Sequence, residues 1–115
     1  ALAALSAFRA SQLPPGFRLT VTGAQTLGEA TVPASHLVYS DGLATVSVFV
    51  EAERDSKPQP QPPMQGLAKV GSGYAFSTVI QGHQVTAVGE VPAQTVEFIA
   101  HSVRSESTSG ATLPH

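Results

Sequence analysis

Apolar and polar residues alternate over two stretches of the chain, and both stretches share one plan. In "HLVYSDGLATVSVFVE", His36 to Glu51, the alternation runs up to Asp41-Gly42 and resumes beyond it, as two antiparallel strands joined by a tight turn would. A two-residue type I′ loop at Asp41-Gly42 sets Ser40 opposite Leu43, Tyr39 opposite Ala44 and Leu37 opposite Val46. One face then carries Leu37, Tyr39, Ala44, Val46, Val48 and Val50 and belongs to a core. The other holds His36, Ser40, Thr45 and Ser47 with Val38, Leu43 and Phe49 among them. It is half polar, and a second layer or a partner could cover it. "YAFSTVIQGHQVTAVGEV" repeats the plan around Gln81-Gly82, where pairing Ile80 with His83 aligns Tyr74, Phe76, Thr78 and Ile80 with Val85 and Ala87.

Two weaker patterns flank these hairpins. In "LPPGFRLTVTG", Pro14-Pro15-Gly16 reads as a turn that delivers a first strand through Phe17, Leu19 and Val21. "GAQTLGEATVPAS" reads as loop with a short irregular strand. After Pro92 the period changes, because Val96, Ile99, Ala100 and Val103 recur at helical spacing. Pro92 suits a first helical turn, and Val91 with Val96 can staple its start. The expected fold is α+β, a single antiparallel sheet of about five strands, built on two hairpins and packed against a C-terminal helix.

Segments without such a pattern set the expected limits of the domain. Residues 1–12 read as a linker or the end of a missing N-terminal domain; "ALAALSAF" is apolar but has no basic leader and falls far short of the roughly 20 residues that span a bilayer. Residues 13–104 form the domain. Within it, 52–66 collects four prolines and reads as a proline-rich loop. Residues 105–115 read as a flexible tail.

Composition narrows the function classes. A chain of 115 residues supports one modest core. Six Lys and Arg against eight Asp and Glu give a net charge of -2, which builds no basic field for nucleic acid. Charged residues make up 12% and hydrophobic ones 42%, so part of the surface is expected to lie under another domain or chain. The chain has no cysteine, which excludes disulfides, thiolate metal sites and cysteine nucleophiles.

Candidate chemistry is sparse. His36, Ser40 and Asp41 contain the residue types of a hydrolytic triad, but Ser40 and Asp41 belong to a turn and no G-x-S-x-G elbow occurs. His36, His83, His101 and His115 lack metal-ligand spacing. Gly71-Ser72-Gly73 precedes a strand, so it reads as a turn and not a phosphate cradle. The carboxylates are scattered, and no catalytic residue, cofactor or metal is expected.

The phrases "LPPGF", "LVYSDGLATVSVFVE" and "GHQVTAVGEVP", in that order and ahead of a C-terminal helix, resemble the C-terminal domain of the MucB/RseB family, periplasmic regulators of the envelope-stress sigma factor pathway. The matching phrases reach from Leu13 to Val103. The resemblance implies a non-enzymatic regulatory domain in the periplasm. With a larger, lipid-sensing N-terminal domain it would bind the periplasmic part of a transmembrane, RseA/MucA-like anti-sigma factor and shield it from regulatory proteolysis. A second copy of the chain is a further candidate partner. Phe17, Tyr39, Asp41, Leu43 and Phe49, around the first hairpin, are the candidate contacts; their alternative roles are core packing and turn chemistry. The competing function is a small lipid carrier of the cell envelope, with an apolar pocket between helix and sheet.

Overall fold

The two alternating stretches pair with each other as well as within themselves. This merges their apolar faces into one continuous wall. The computed structural model describes residues 8–27, 32–51 and 65–105. Its elements are β1 (Phe8–Ala10), β2 (Arg18–Leu27), β3 (Val32–Ser40), β4 (Thr45–Glu51), β5 (Gly66–Val70), β6 (Gly73–Ile80), β7 (His83–Gly89), α1 (Ala93–His101) and β8 (Val103–Ser105). Strands β2 to β7 make a six-stranded antiparallel sheet in the order β2-β3-β4-β7-β6-β5. Strands β1 and β8 form a separate two-stranded ribbon. The class is α+β as expected, but the single five-stranded sheet is corrected to six strands plus two.

The inner hairpins join through β4 and β7, where Val48 pairs with Ala87 and Val50 with Val85. Leu37, Tyr39, Val46, Val48, Val50, Val85 and Ala87 thus form one buried face. Helix α1 lies across β6 and β7 and closes this face with Val96, Ile99 and Ala100. Phe8 and Val103 of the ribbon complete the same core. Each fully buried valine here is worth roughly 1.5–3 kcal/mol of apolar burial. Gly89 sits where β7 bridges two neighbours, paired with Val46 on one side and Tyr74 on the other. A Cβ there would stand 2.6 Å from the Thr45 carbonyl oxygen, so the close approach of β4 requires glycine.

The second hairpin follows the sequence expectation. Ile80 pairs with His83, and Gln81 and Gly82 have φ of 53° and 84°, as a type I′ loop demands. The first hairpin does not. Its closing pair is Ser40 with Thr45, and Leu37 pairs with Val48, so the loop holds four residues, Asp41 to Ala44. The register moves by two residues, an even step that leaves every strand side chain on its expected face. Only Ala44 leaves the face, into the loop.

Other differences have local causes. Leu19 pairs with Tyr39 and Val21 with Val38, leaving Thr20 as a bulge whose hydroxyl donates to the Val38 carbonyl at 3.1 Å. Beyond the bulge the alternation inverts, so Val21, in step with Phe17 and Leu19 in the sequence, is 52% exposed. The stretch after Gly23, read as loop with a short irregular strand, continues β2 to Leu27 and pairs with the start of β3, because an edge ladder can form on backbone bonds without an apolar stripe. Strand β5 begins at Gly66, inside the span assigned to the proline-rich loop; residues 52–64 of that loop lie outside the described residues.

Helix α1 starts at Ala93, with Pro92 as its N-cap residue and the Pro92 carbonyl accepting from Thr95 N–H at 2.9 Å. It stops at His101, because the Ser102 N–H and hydroxyl both donate to the Ile99 carbonyl, at 3.1 and 2.8 Å. Val103, expected on the helix stripe, is therefore buried from β8. Phe8–Ala10, assigned to the leading linker, is paired with Val103–Ser105 instead; residues 1–7 and 106–115 lie outside the described residues. Among the described residues no helix is long and apolar enough to cross a membrane.

Candidate interaction surface

The phrases "LPPGF" and "SDGL", far apart in sequence, meet at one end of the sheet. Phe17 N–H donates to the Pro14 carbonyl at 3.1 Å, and Gly16 has φ of 88°, which makes Pro14 to Phe17 a type II turn. Arg18, just beyond it, pairs with Ser40. A Cβ on Gly16 would stand 3.5 Å from the Asp41 Cβ, so the turn and the Asp41–Ala44 loop lie side by side as one tip.

Asp41 builds that loop. One carboxylate oxygen, Oδ1, accepts from Leu43 N–H at 2.9 Å and Ala44 N–H at 2.8 Å. The Ser40 hydroxyl accepts from Gly42 N–H at 3.0 Å and donates to the Ala44 carbonyl at 2.8 Å. With the four N–H groups of the loop satisfied within it, the tip projects Leu43 outward, 98% exposed. The N–H groups of Ala44 and then Leu43 hold the Asp41 carboxyl below the ordinary carboxylate value, since they favour its charged form.

The five expected contact residues do not form one patch. Asp41 and Leu43 stand on the tip, and Phe17 is half-buried beneath it against the core. Tyr39 is 1% exposed, with its hydroxyl accepting from Ala10 N–H at 2.8 Å; the structure places it in the core, where it ties the ribbon to the sheet. Phe49 lies on the opposite face, paired with His36 and stacked on its ring at 4.5 Å between centroids. The His36 Nε2 is buried with no hydrogen-bond partner.

The triad types are not assembled either. His36 and Ser40 lie four residues apart along β3, roughly 13 Å in an extended strand, and the Ser40 and Asp41 side chains are spent on the loop. His83 Nδ1 is 2.8 Å from the Glu51 carbonyl oxygen, with Phe8 at its ring edge, while His101 contacts the Phe76 ring. His115 lies outside the described residues. Among the described residues no three His, Asp or Glu side chains are grouped to hold a metal ion.

Exposed apolar groups that the sequence did not single out sit elsewhere. Leu67 and Val70 of β5 are 45% and 50% exposed. Phe98, on the outer side of α1, lines an open cavity of about 470 Å³ with Gln12, Glu97 and Arg104. The short "LAKV" run between the prolines and Gly71 was the available signal for β5, but four residues are too few to establish a period.

Residues 3–104 match the family model described as the MucB/RseB C-terminal domain. Among curated proteins the chain is 37% identical over 109 residues to the sigma factor AlgU regulatory protein MucB of Pseudomonas aeruginosa, covering 90% of this chain and 32% of that protein. It is 31% identical over 96 residues to the sigma-E factor regulatory protein RseB of Salmonella typhimurium, covering 82% of this chain and 28% of that one. The chain thus spans about a third of the length of these relatives. The solved structure of MucB in complex with MucA(peri) matches 87% of this chain and 36% of its own at 36% identity, with a TM-score of 0.72; MucB alone matches with a TM-score of 0.59. With its order of motifs, its sheet and its helix all accounted for, the chain belongs to the MucB/RseB C-terminal domain family.

Proposed function

We propose that this chain is a non-enzymatic regulatory binding domain of the periplasm. Together with a larger N-terminal domain it binds the periplasmic part of a transmembrane anti-sigma factor, protects that segment from regulatory proteolysis and so restrains the envelope-stress sigma factor. The observation that carries this reading is the similarity, at 36% identity over 87% of the chain, to MucB as solved in complex with MucA(peri). The exposed Leu43, Leu67, Val70 and Phe98 among the described residues support a binding role. The lipid-carrier alternative finds less support, because the space between helix and sheet is filled by Val48, Val50, Val85, Val96 and Ile99, all without exposure.

The test uses the two-domain parent protein and the periplasmic segment of its cognate anti-sigma factor. Titration calorimetry should show a complex, and adding the parent should slow cleavage of the segment by the site-one protease. A parent that neither binds the segment nor changes its cleavage rate defeats the proposal.

A further inference from the structure

Strand β5 ends the sheet, and among the described residues nothing pairs with its outer edge. All five of its residues are exposed. The direction of its free backbone groups follows from the turn that leads into β6. Val70 pairs with Gly73 across the two-residue loop Gly71-Ser72, with Gly71 at φ 57°, and the pair closing such a loop is hydrogen-bonded. By alternation, Ala68 with Ala75 and Gly66 with Ser77 also exchange bonds. Leu67 and Lys69 therefore turn their N–H and C=O groups away from β6, an open template for one more strand.

Two further observations say what such a strand must look like. On one face of β5, small residues leave a groove of about 360 Å³ along Gly66, Ala68, Ala75, Ser77 and Thr86. A residue added opposite Ala68 would direct its side chain over this groove. On the other face stands Lys69, the lone charge of β5. Its Nζ donates to the Gly71 carbonyl at 3.2 Å and lies 5.3 Å from the centre of the Tyr74 ring, so the cation is held beside the edge. Backbone bonds from an open edge, with pockets for alternate side chains, are the two parts of recognition by strand addition.

We infer that β5 captures an extended peptide segment of another protein as an antiparallel seventh strand, reading an acidic residue opposite Lys69, a large aliphatic residue over Ala68 and an apolar residue opposite Leu67. Lys69 discourages indiscriminate edge pairing and selects for the acid. A second copy of this chain is a poorer occupant, because symmetric pairing sets Ala68 against Ala68 and leaves the groove unfilled. The inference is independent of the anti-sigma reading, since it concerns any segment of this chemistry.

The probe is a blocked peptide, acetyl-Ser-Thr-Asp-Leu-Val-Thr-Ser-amide, with a control carrying Lys in place of Asp, each titrated into the full chain and followed by amide exchange in NMR. The Asp peptide should slow exchange at Leu67 and Lys69 and leave Ala68, already bonded to β6, unchanged. Leu67→Pro removes an outward N–H, a change edge strands tolerate, together with the leucine side chain, and should weaken binding about fivefold or more. Lys69→Glu should transfer preference to the Lys peptide. N-methylation of the peptide valine tests the same bonds from the other side if Leu67→Pro impairs folding. The inference is overturned by an absence of protection at Leu67 and Lys69, by binding indifferent to N-methylation, or by self-association that excludes the peptide.

Discussion

The β3–β4 and β6–β7 hairpins carry the same sequence signal, alternating strands around an X-Gly pair, yet they turn in different ways. At Gln81-Gly82 both residues adopt positive φ and the loop closes in two residues. At Asp41-Gly42 only the glycine does, at φ 96°, and the loop takes four. The difference lies in the residue before glycine. Gln81 has no short acceptor to offer its own backbone, and its Oε1 instead accepts from Ser105 N–H at 3.1 Å. Asp41 reaches the N–H groups two and three residues on, an arrangement that rewards a wider loop. A glycine thus announces that a turn occurs, while its neighbour's side chain decides how wide it is.

The largest expected perturbation strikes the seam that joins the two hairpins. Gly89→Ala forces a Cβ toward the Thr45 carbonyl oxygen and should cost about 3 kcal/mol by overpacking, read as a lower urea midpoint. A midpoint within error of the parent would mean that β4 and β7 can separate without loss. Next comes Gly82→Ala, which places an L side chain at φ 84° and should cost about 1–2 kcal/mol while leaving the β3–β4 amide shifts in place. If both hairpins respond equally, they are not locally independent.

Asp41 separates the turns by pH. Its carboxyl should titrate below the ordinary value of 3.8 when followed by NMR. A depressed folded value means that its stabilising contribution is complete above the unfolded value and is lost as pH falls through the folded one. The Leu43 and Ala44 amides should lose exchange protection in that acidic window, while those of the Gln81-Gly82 turn do not. Asp41→Ala should reproduce the acid state at neutral pH. The smallest effect belongs to Leu43→Ser, within about 0.5 kcal/mol of the parent; any loss of partner affinity it causes would then be attributable to contact and not to folding.

Much of the core was legible because burial leaves a period. Leu37, Tyr39, Val46, Val48 and Val50 could be assigned to the apolar face of the first hairpin and Val85 and Ala87 to that of the second, and a register error of two residues in the first did not disturb that. The break in the alternation between Leu19 and Val21 was not legible, because a bulge at Thr20 is a backbone event with no distinctive composition. Strands β1, β5 and β8 were missed because three to five residues cannot display a period, and their pairing is decided by tertiary partners such as the Tyr39 hydroxyl at Ala10. Of the contact residues, Asp41 and Leu43 were placed at the surface because turn residues project outward. Tyr39 was read both as core and as candidate contact, because an aromatic ring fits a core and an interface equally well; in this domain its hydroxyl partner at Ala10 holds it in the core.

The β1–β8 ribbon has a mechanical consequence. Phe8 pairs with Ser105 at the end where both strands leave the described structure, and Ala10 pairs with Val103 further in. Tension applied through the two flanking segments would load these pairs one at a time, as a zipper is opened, and would not shear them together. Pulled in optical tweezers, the domain should surrender Phe8 and Val103 from its core at low force, before the six-stranded sheet feels the load. A regulator tethered at both flanks would thus carry a mechanical fuse at its point of attachment.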